Sequence, residues 1–170
     1  MRNRHIPEDD LREIAAQLRG VDHLITALLI GTGFRLDDVM HLRCWQLGRD
    51  AISIRERKTG HARAVTIPAD LSDLLRAYIA GRHPFRYAFP ALRRGGAGKM
   101  HRTTYWRHFK AAARRLGMGD RGYTPHSLRK GYAVKALSRT GSLKAVQDDL
   151  GHTSPMVTAL YALSDRLGDA

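Results

Sequence analysis

The chain has 170 residues, is 43% hydrophobic and sets 29 Lys+Arg against 16 Asp+Glu, a formal net charge of +13. That length holds one domain with a real core, and His, Arg, Asp or Gly interrupts every apolar stretch before it reaches the length of a membrane span. The single cysteine, Cys44, excludes an internal disulfide and a thiolate metal cluster, and the basic start from Met1 to Pro7 has no apolar segment behind it and is no secretory signal, so a reduced cytoplasm is the expected compartment.

The positive excess predicts a polyanionic partner, with nucleic acid first. A merely soluble basic protein is the other reading. The uneven charge favours the first, because acids crowd the amino-terminal helix while residues 82–135 are almost purely basic.

In chain order, residues 7–19 predict an amphipathic helix. Pro7 suits a first turn, and Glu8, Asp9 and Asp10 suit the positive end of the helix dipole. Leu11, Ile14, Ala15 and Leu18 form its apolar stripe, and Gly20 is the expected stop. Residues 21–30 are apolar nearly all round and predict a buried central helix. Gly31-Thr32-Gly33 then reads as a sharp turn, after which residues 36–42 resume helical spacing. Arg35 thus opens a short helix, and by itself it reads as a surface arginine. No Lys-Ser/Thr follows the glycine pair, which excludes a nucleotide-binding phosphate loop.

Residues 45–67 change period. Ile52 and Ile54 alternate with Ser53 and Arg55, and Val65 and Ile67 flank Thr66. Arg57-Lys58-Thr59-Gly60-His61 lies between them, so the stretch predicts a β-hairpin with a basic tip. Trp45 to Leu47 is a candidate third strand. Lys58 is either a solvated tip residue or one that reaches into a DNA groove or an active site. Pro68 opens a further helix with Leu71, Leu74, Leu75, Tyr78 and Ile79 on its core face, ending at Gly81. Residues 82–100 predict a long loop, most flexible around Arg93 to Lys99. Residues 102–116 predict a basic helix with Trp106, Phe109, Ala113 and Leu116 inward and Arg102, Arg107, Lys110 and Arg114 outward. Such a helix suits contacts with a duplex, or simply a solvated face.

After a loop to Pro125, the next helix carries Leu128, Val134 and Leu137 inward. His126 and Arg129 are three residues apart and share a face. Ser142 is the expected cap of a short helix bearing Leu143, Val146 and Leu150, and Ser154-Pro155 starts the last one. There Val157, Leu160 and Tyr161 share a side, so Tyr161 also reads as plain core. Histidine moves protons near neutral pH, arginine binds phosphate oxygens bidentately, and tyrosine serves as a covalent nucleophile. Metal binding by His126 and His152 lacks a matching carboxylate or thiolate set.

No single one of these features is specific. Their order is. Arg35 after Gly-Thr-Gly, Lys58-Thr59-Gly60 on a hairpin, His126-x-x-Arg129, Leu150-Gly151-His152 and then Tyr161 together resemble the catalytic domain of the tyrosine recombinase (phage integrase) family, over about residues 7 to 165. The resemblance implies an α+β, mainly helical fold with a small antiparallel sheet. It also implies roles. Arg35 and Arg129 match the two arginines that bind the scissile phosphate. Lys58 matches the hairpin lysine that protonates the leaving 5′ oxygen, and His126 the histidine acting on the nucleophile's proton. His152 matches a phosphate-contacting position, and Tyr161, nine residues later, matches the nucleophile. Asp38 matches an acidic position that could hold Arg35 from one turn away.

The implied activity is site-specific cleavage and rejoining of double-stranded DNA through a 3′-phosphotyrosine, by a homotetramer on DNA, with no metal, no small-molecule cofactor and no membrane. Such enzymes serve DNA integration and recombination, often for a mobile element. Topoisomerase-IB-like relaxation, hairpin-end resolution and a catalytically inactive DNA-binding regulator are the alternatives. The family-like helix begins almost at residue one. The expectation is therefore a single catalytic domain over residues 1–170, with no amino-terminal core-binding domain in this chain, which is either a single-domain recombinase or a catalytic-domain fragment. Family members commonly pass a carboxy-terminal segment to a neighbouring protomer, and the short segment from Ala162 to Ala170 puts that exchange in doubt here.

Overall fold

The computed structural model of the chain describes residues 6–91, 98–152 and 154–162, and of residues 157 and 160–162 only the backbone. The acidic first turn begins α1 (Glu8–Gln17), which buries Ile14. The chain leaves this helix at an extended Leu18, which is also buried. Gly20 does not end α1 but opens α2 (Val21–Thr32), where its φ of 55° turns the chain into the new helix.

The apolar run of α2 packs against α1, α3 (Leu36–Met40), α6 (Arg102–Arg115) and α7 (Pro125–Thr140), so it is the central helix that its composition predicts. It is longer than the Gly-Thr-Gly motif suggests. Thr32 stays helical because its hydroxyl donates to the carbonyl of Leu28 at 2.6 Å and accepts from the amide of Phe34 at 3.2 Å. The turn is made by Gly33 alone, left-handed at φ 61°, with its amide on the carbonyl of Leu29. A Cβ there would collide with the ring of Tyr132 on α7, so this glycine also sets how closely α2 and α7 approach.

The proposed third strand is not one. Cys44–Leu47 forms a single helical turn, α4, because Gln46 accepts from the Arg43 amide at 2.8 Å and donates to the Ser53 carbonyl at 3.0 Å. The backbone at Arg43 bridges to Tyr87 instead. The hairpin itself pairs β1 (Ala51–Arg55) antiparallel with β2 (Ala62–Thr66), Ile52 opposite Val65 and Ile54 opposite Arg63. Ile52 and Arg63 are both buried, so β2 turns a cation inward where the alternation of Val65 and Ile67 foretold only aliphatics.

Two helices sit rotated from their expected faces. On α5 (Ala69–Ile79), Leu71 and Leu75 are buried but Leu74 is 53% exposed, since the narrow stripe at four-residue spacing already covers the core. On α6 the buried stripe is Tyr105, Phe109, Ala112 and Ala113, and Trp106 faces outward at 43% exposure. Tyr105 wins the inward place because its hydroxyl finds Thr26 at 2.8 Å. Lys110 is also buried, against expectation, with its amine on the carbonyls of Tyr123 (3.2 Å) and Gly119 (3.4 Å), which ties down the segment leading to α7.

A smaller cluster of Ala133, Ala136, Val146 and Leu150 joins α7 to α8 (Leu143–Leu150), which Ser142 caps through the amide of Ala145. Leu143, the first residue of α8, is exposed. α9 (Pro155–Ala162) packs on both α7 and α8. The glycine-rich run from 92 to 97 and the side chains of Val157, Leu160 and Tyr161 lie outside the described residues. Among the described residues no helix is long and apolar enough to cross a membrane.

Candidate active site

The Gly33 turn, the hairpin tip and the start of α7 meet around an open cleft of about 720 Å³. Arg35, Lys58, His126 and Arg129 all line it, beside Phe34, Asp37, Arg102, Trp106 and Pro125. Four of the six residues picked out in the sequence therefore share one concavity. His126 is at the second position of α7, where Thr124 and Ser127 exchange hydrogen bonds as a capping pair and Pro125 takes the first position. The positive end of that sixteen-residue helix thus opens into the cleft.

The hairpin is docked by two carboxylates of α3. Asp38 accepts from the backbone amide of Arg57 at 3.0 Å, and Asp37 pairs with the Arg57 guanidinium at 3.3 Å. Asp38 was expected to hold Arg35, and it does not pair with it. Burial, helped by the charges of Glu56 and Asp37, raises the Asp38 pKa.

Arg35 is held by Glu56, a residue that the sequence reading passed over. Glu56 follows β1, and its side chain is fully buried. One oxygen pairs with Arg35 and accepts from the Thr59 hydroxyl at 2.7 Å. The other accepts from Arg129 at 3.3 Å and lies 3.9 Å from Arg63. Burial works to raise the Glu56 pKa, but the Thr59 hydrogen bond and the two arginines hold it below the usual carboxylate range.

Arg129 is 2% exposed. It donates to the carbonyls of Gly33 and Leu150, each at 2.6 Å, and to Glu56. A guanidinium has five N–H groups, so these bonds leave up to two for a ligand in the cleft. Burial lowers its pKa to about 10, with Arg35 adding to the effect, and it stays charged at neutral pH. Arg63 was also missed. It lies over the Phe34 ring and donates to the Thr32 carbonyl and to Asp149, each at 3.0 Å, while Asp149 accepts from the Tyr132 hydroxyl at 2.7 Å. A signal for both residues was present, because Glu56 continues the inward positions of Ile52 and Ile54, and Arg63 those of Val65 and Ile67.

His152 follows Gly151, the left-handed cap of α8, and its Nδ1 lies 3.0 Å from the Thr158 hydroxyl. His61 of the hairpin packs so closely on Gly151 that a Cβ there would collide with its ring. His152 does not line the cleft, but it feels the charges of Arg129, Arg35 and His126. Tyr161 is on α9, with its side chain outside the described residues.

Burial, followed by the charges of Arg129, Lys130, Arg35 and Lys58, pushes the His126 pKa down to about 4. Burial and then Arg129 and Arg35 do the same to His152, also to about 4. Both are neutral at pH 7, the state in which an imidazole accepts a proton. Below the ordinary value of 6.5 and down to about 4, the unfolded chain binds protons that the folded chain does not. Stability contributed by these groups is therefore full above that window and lost as pH falls through it. The urea midpoint is expected to drop between about pH 7 and about pH 5, with a shallower slope when both histidines are replaced by glutamine. An unchanged midpoint would show that neither ring is held neutral.

The sequence profile described as the phage integrase family matches residues 4–166. The chain is 31% identical over 159 residues to the tyrosine recombinase XerA of Pyrococcus furiosus, covering 92% of this chain and 51% of that protein. It is 30% identical over 168 residues to the tyrosine recombinase XerA of Thermococcus kodakarensis, covering 93% and 58%. Its fold superposes on a crystal structure of XerA recombinase with a TM-score of 0.76 at 21% identity, covering 96% of this chain and 61% of that one. A lambda integrase dimer bound to a COC′ core site gives 0.75 at 20% identity, covering 95% and 48%. At those identities the solved structures establish the fold. The chain spans about half the length of the curated relatives it matches.

Proposed function

This chain belongs to the phage integrase family, the tyrosine recombinases, and we propose that it cleaves and rejoins double-stranded DNA at specific sites through a 3′-phosphotyrosine intermediate. Residues 1–170 form one catalytic domain in this reading, acting in the cytoplasm within a homotetramer on DNA. The observation that carries it is the cleft shared by Arg35, Lys58, His126 and Arg129, because phosphoryl transfer needs positioning and charge more than any other contribution.

The scissile phosphate sits in that cleft with its non-bridging oxygens on Arg35 and Arg129. A tyrosine hydroxyl in water titrates at about pH 10 and is protonated at neutral pH, so Tyr161 must lose its proton as it attacks. Neutral His126 takes that proton. The bond from Tyr161 oxygen to phosphorus forms as the bond from phosphorus to the 5′ oxygen breaks, and Lys58 gives the leaving oxygen its proton. His152 lies outside the cleft lining, and a contact of its ring with the phosphate would form only once DNA is bound. The phosphotyrosyl ester keeps the energy of the broken phosphodiester, so attack by a 5′ hydroxyl rejoins a strand with no nucleotide consumed. On the rim, Arg102 and Trp106 of α6 are exposed and available to the flanking duplex.

The test is a pool of nicked duplexes made from the DNA that flanks the protein's own reading frame. Strand breakage beside the nick releases a short fragment, so a cleaving enzyme stays covalently attached and runs as a shifted band on a denaturing gel. No adduct with the wild-type protein on any member of the pool would end the enzymatic reading.

A net charge of +13 further predicts that the logarithm of duplex affinity falls steeply and linearly with log salt, with a slope of roughly one for each phosphate contacted. Filter binding over a salt series measures it, and a flat response would remove duplex DNA as the partner.

A further inference from the structure

We infer that Glu56 is the positioning residue of this site, its buried carboxylate setting the spacing and orientation of Arg35 and Arg129. The inference rests on the phosphate-binding reading of those two arginines. The groups it joins come from three separate parts of the chain: Arg35 from the Gly33 turn, Thr59 from the hairpin tip and Arg129 from α7. Thr59 is next to Lys58, so the same carboxylate anchors the turn that carries the candidate acid.

Two guanidinium groups brought to one phosphate repel each other before the phosphate arrives. A solvent-filled gap would let Arg35 swing away, because it is the more exposed of the pair. Glu56 removes that freedom. Its side chain is fully buried, and each of its oxygens engages one of the two arginines. Thr59 fixes the carboxylate's own rotation. The cost is one negative charge beneath a site that binds a negative ligand. A counter-charge that positions is therefore expected to raise the rate of the chemical step while adding nothing to, or slightly weakening, the hold on DNA.

That split gives the test. Glu56→Gln keeps the shape and the acceptor for Thr59 but loses the charge, and its amide presents N–H to an arginine. Cleavage of the nicked duplexes under single-turnover conditions is expected to fall about 100-fold, the scale of a small misplacement of reacting groups. Non-covalent duplex affinity should stay within about twofold of wild type or tighten. Glu56→Asp keeps the charge with a shorter reach and should recover part of the rate. A wild-type rate in Glu56→Gln would overturn the inference, as would parallel loss of rate, affinity and folded fraction.

A second readout needs no activity. The guanidinium Nε–H signals of Arg35 and Arg129, observed by NMR in the DNA-free protein, should be resolved and slow to average in wild type. In Glu56→Gln the Arg35 signal should collapse toward that of a free side chain. Unchanged signals would overturn the positioning role. Absence of adduct from wild type, with the signals collapsing in Glu56→Gln, would instead sink the recombinase reading and leave the positioning role standing.

Discussion

A Tyr161→Phe protein should form no covalent adduct with the nicked duplexes and should hold them as tightly as wild type does. The substitution removes one oxygen and keeps the ring. If that oxygen is the nucleophile, none of the surrounding charge compensates for its loss, since Arg35, Arg129 and Lys58 stabilise a reaction that no longer has an attacking atom. Neither arginine nor lysine forms the ester in its place. Affinity should shift by no more than about twofold, because backbone phosphate contacts made elsewhere dominate binding. A denaturing gel and filter binding, run on the same samples, measure the two quantities. An adduct in Tyr161→Phe would place the nucleophile on another residue, and equal loss of adduct and affinity would make Tyr161 a packing residue of α9.

Arg129→Ala should be the most destabilising substitution among the candidate residues. Arg129 is 2% exposed and bonds to the carbonyls of Gly33 and Leu150 as well as to Glu56. It thereby ties the end of α2 and the end of α8 to α7. Alanine leaves two buried carbonyls short of a donor and a buried carboxylate short of a cation. Removing one partner of a buried ion pair costs about 3–5 kcal/mol. That is a large part of the stability of a typical domain, roughly 5–15 kcal/mol. Urea denaturation of the DNA-free protein measures it. Because this variant risks failing to fold, Arg129→Lys is its companion. Lysine keeps the charge near Glu56 but cannot span both carbonyls with a planar fork. It should fold with a smaller loss and still cleave at least about 100-fold more slowly. Alanine as stable as wild type would mean that these bonds are not made in solution.

The two predictions differ in how far the sequence reaches. Tyr161 is a candidate nucleophile on its interval from His152 and its place in an ordered set, both readable in the sequence. The stability role of Arg129 was invisible there. His126-x-x-Arg129 says that the two side chains share a helix face, and nothing in it says that the arginine will be buried against the carbonyls of residues 33 and 150. Asp38 shows the same limit from the other side. It is three residues from Arg35, within reach on one helix, yet it turns to the hairpin backbone, and Glu56 takes the arginine. Local spacing names the residues that can meet, and competition among partners from other segments decides which do.

Burial faces divide along the same line. Patterns of three, four and two residues were enough to locate the helices and the hairpin within a few residues of their ends. They failed at Trp106 and Leu74, which are exposed, at Lys110, which is buried, and at the single helical turn of Cys44–Leu47. At Tyr105 a buried hydroxyl on Thr26 outweighed the larger apolar area of the neighbouring tryptophan. At Lys110 two backbone carbonyls from a distant loop made burial of an amine tolerable. At Tyr105, Lys110 and Gln46 the deciding interaction is a hydrogen bond that helical or strand periodicity does not encode.

By itself, then, the sequence determined the order of the long helices and the hairpin, the family, the basic character and four side chains that share one cleft, because periodicity, capping and motif order are local properties of the chain. Tertiary structure alone decided that Glu56 lies beneath both candidate phosphate-binding arginines, that Arg63 joins them, and that both candidate histidines are held neutral. Those are consequences of charge taken out of water. A buried ion pair joins residues as distant as Glu56 and Arg129, 73 positions apart, and a pKa depends on every charge the fold brings near. Only the packed chain brings those groups within reach of one another.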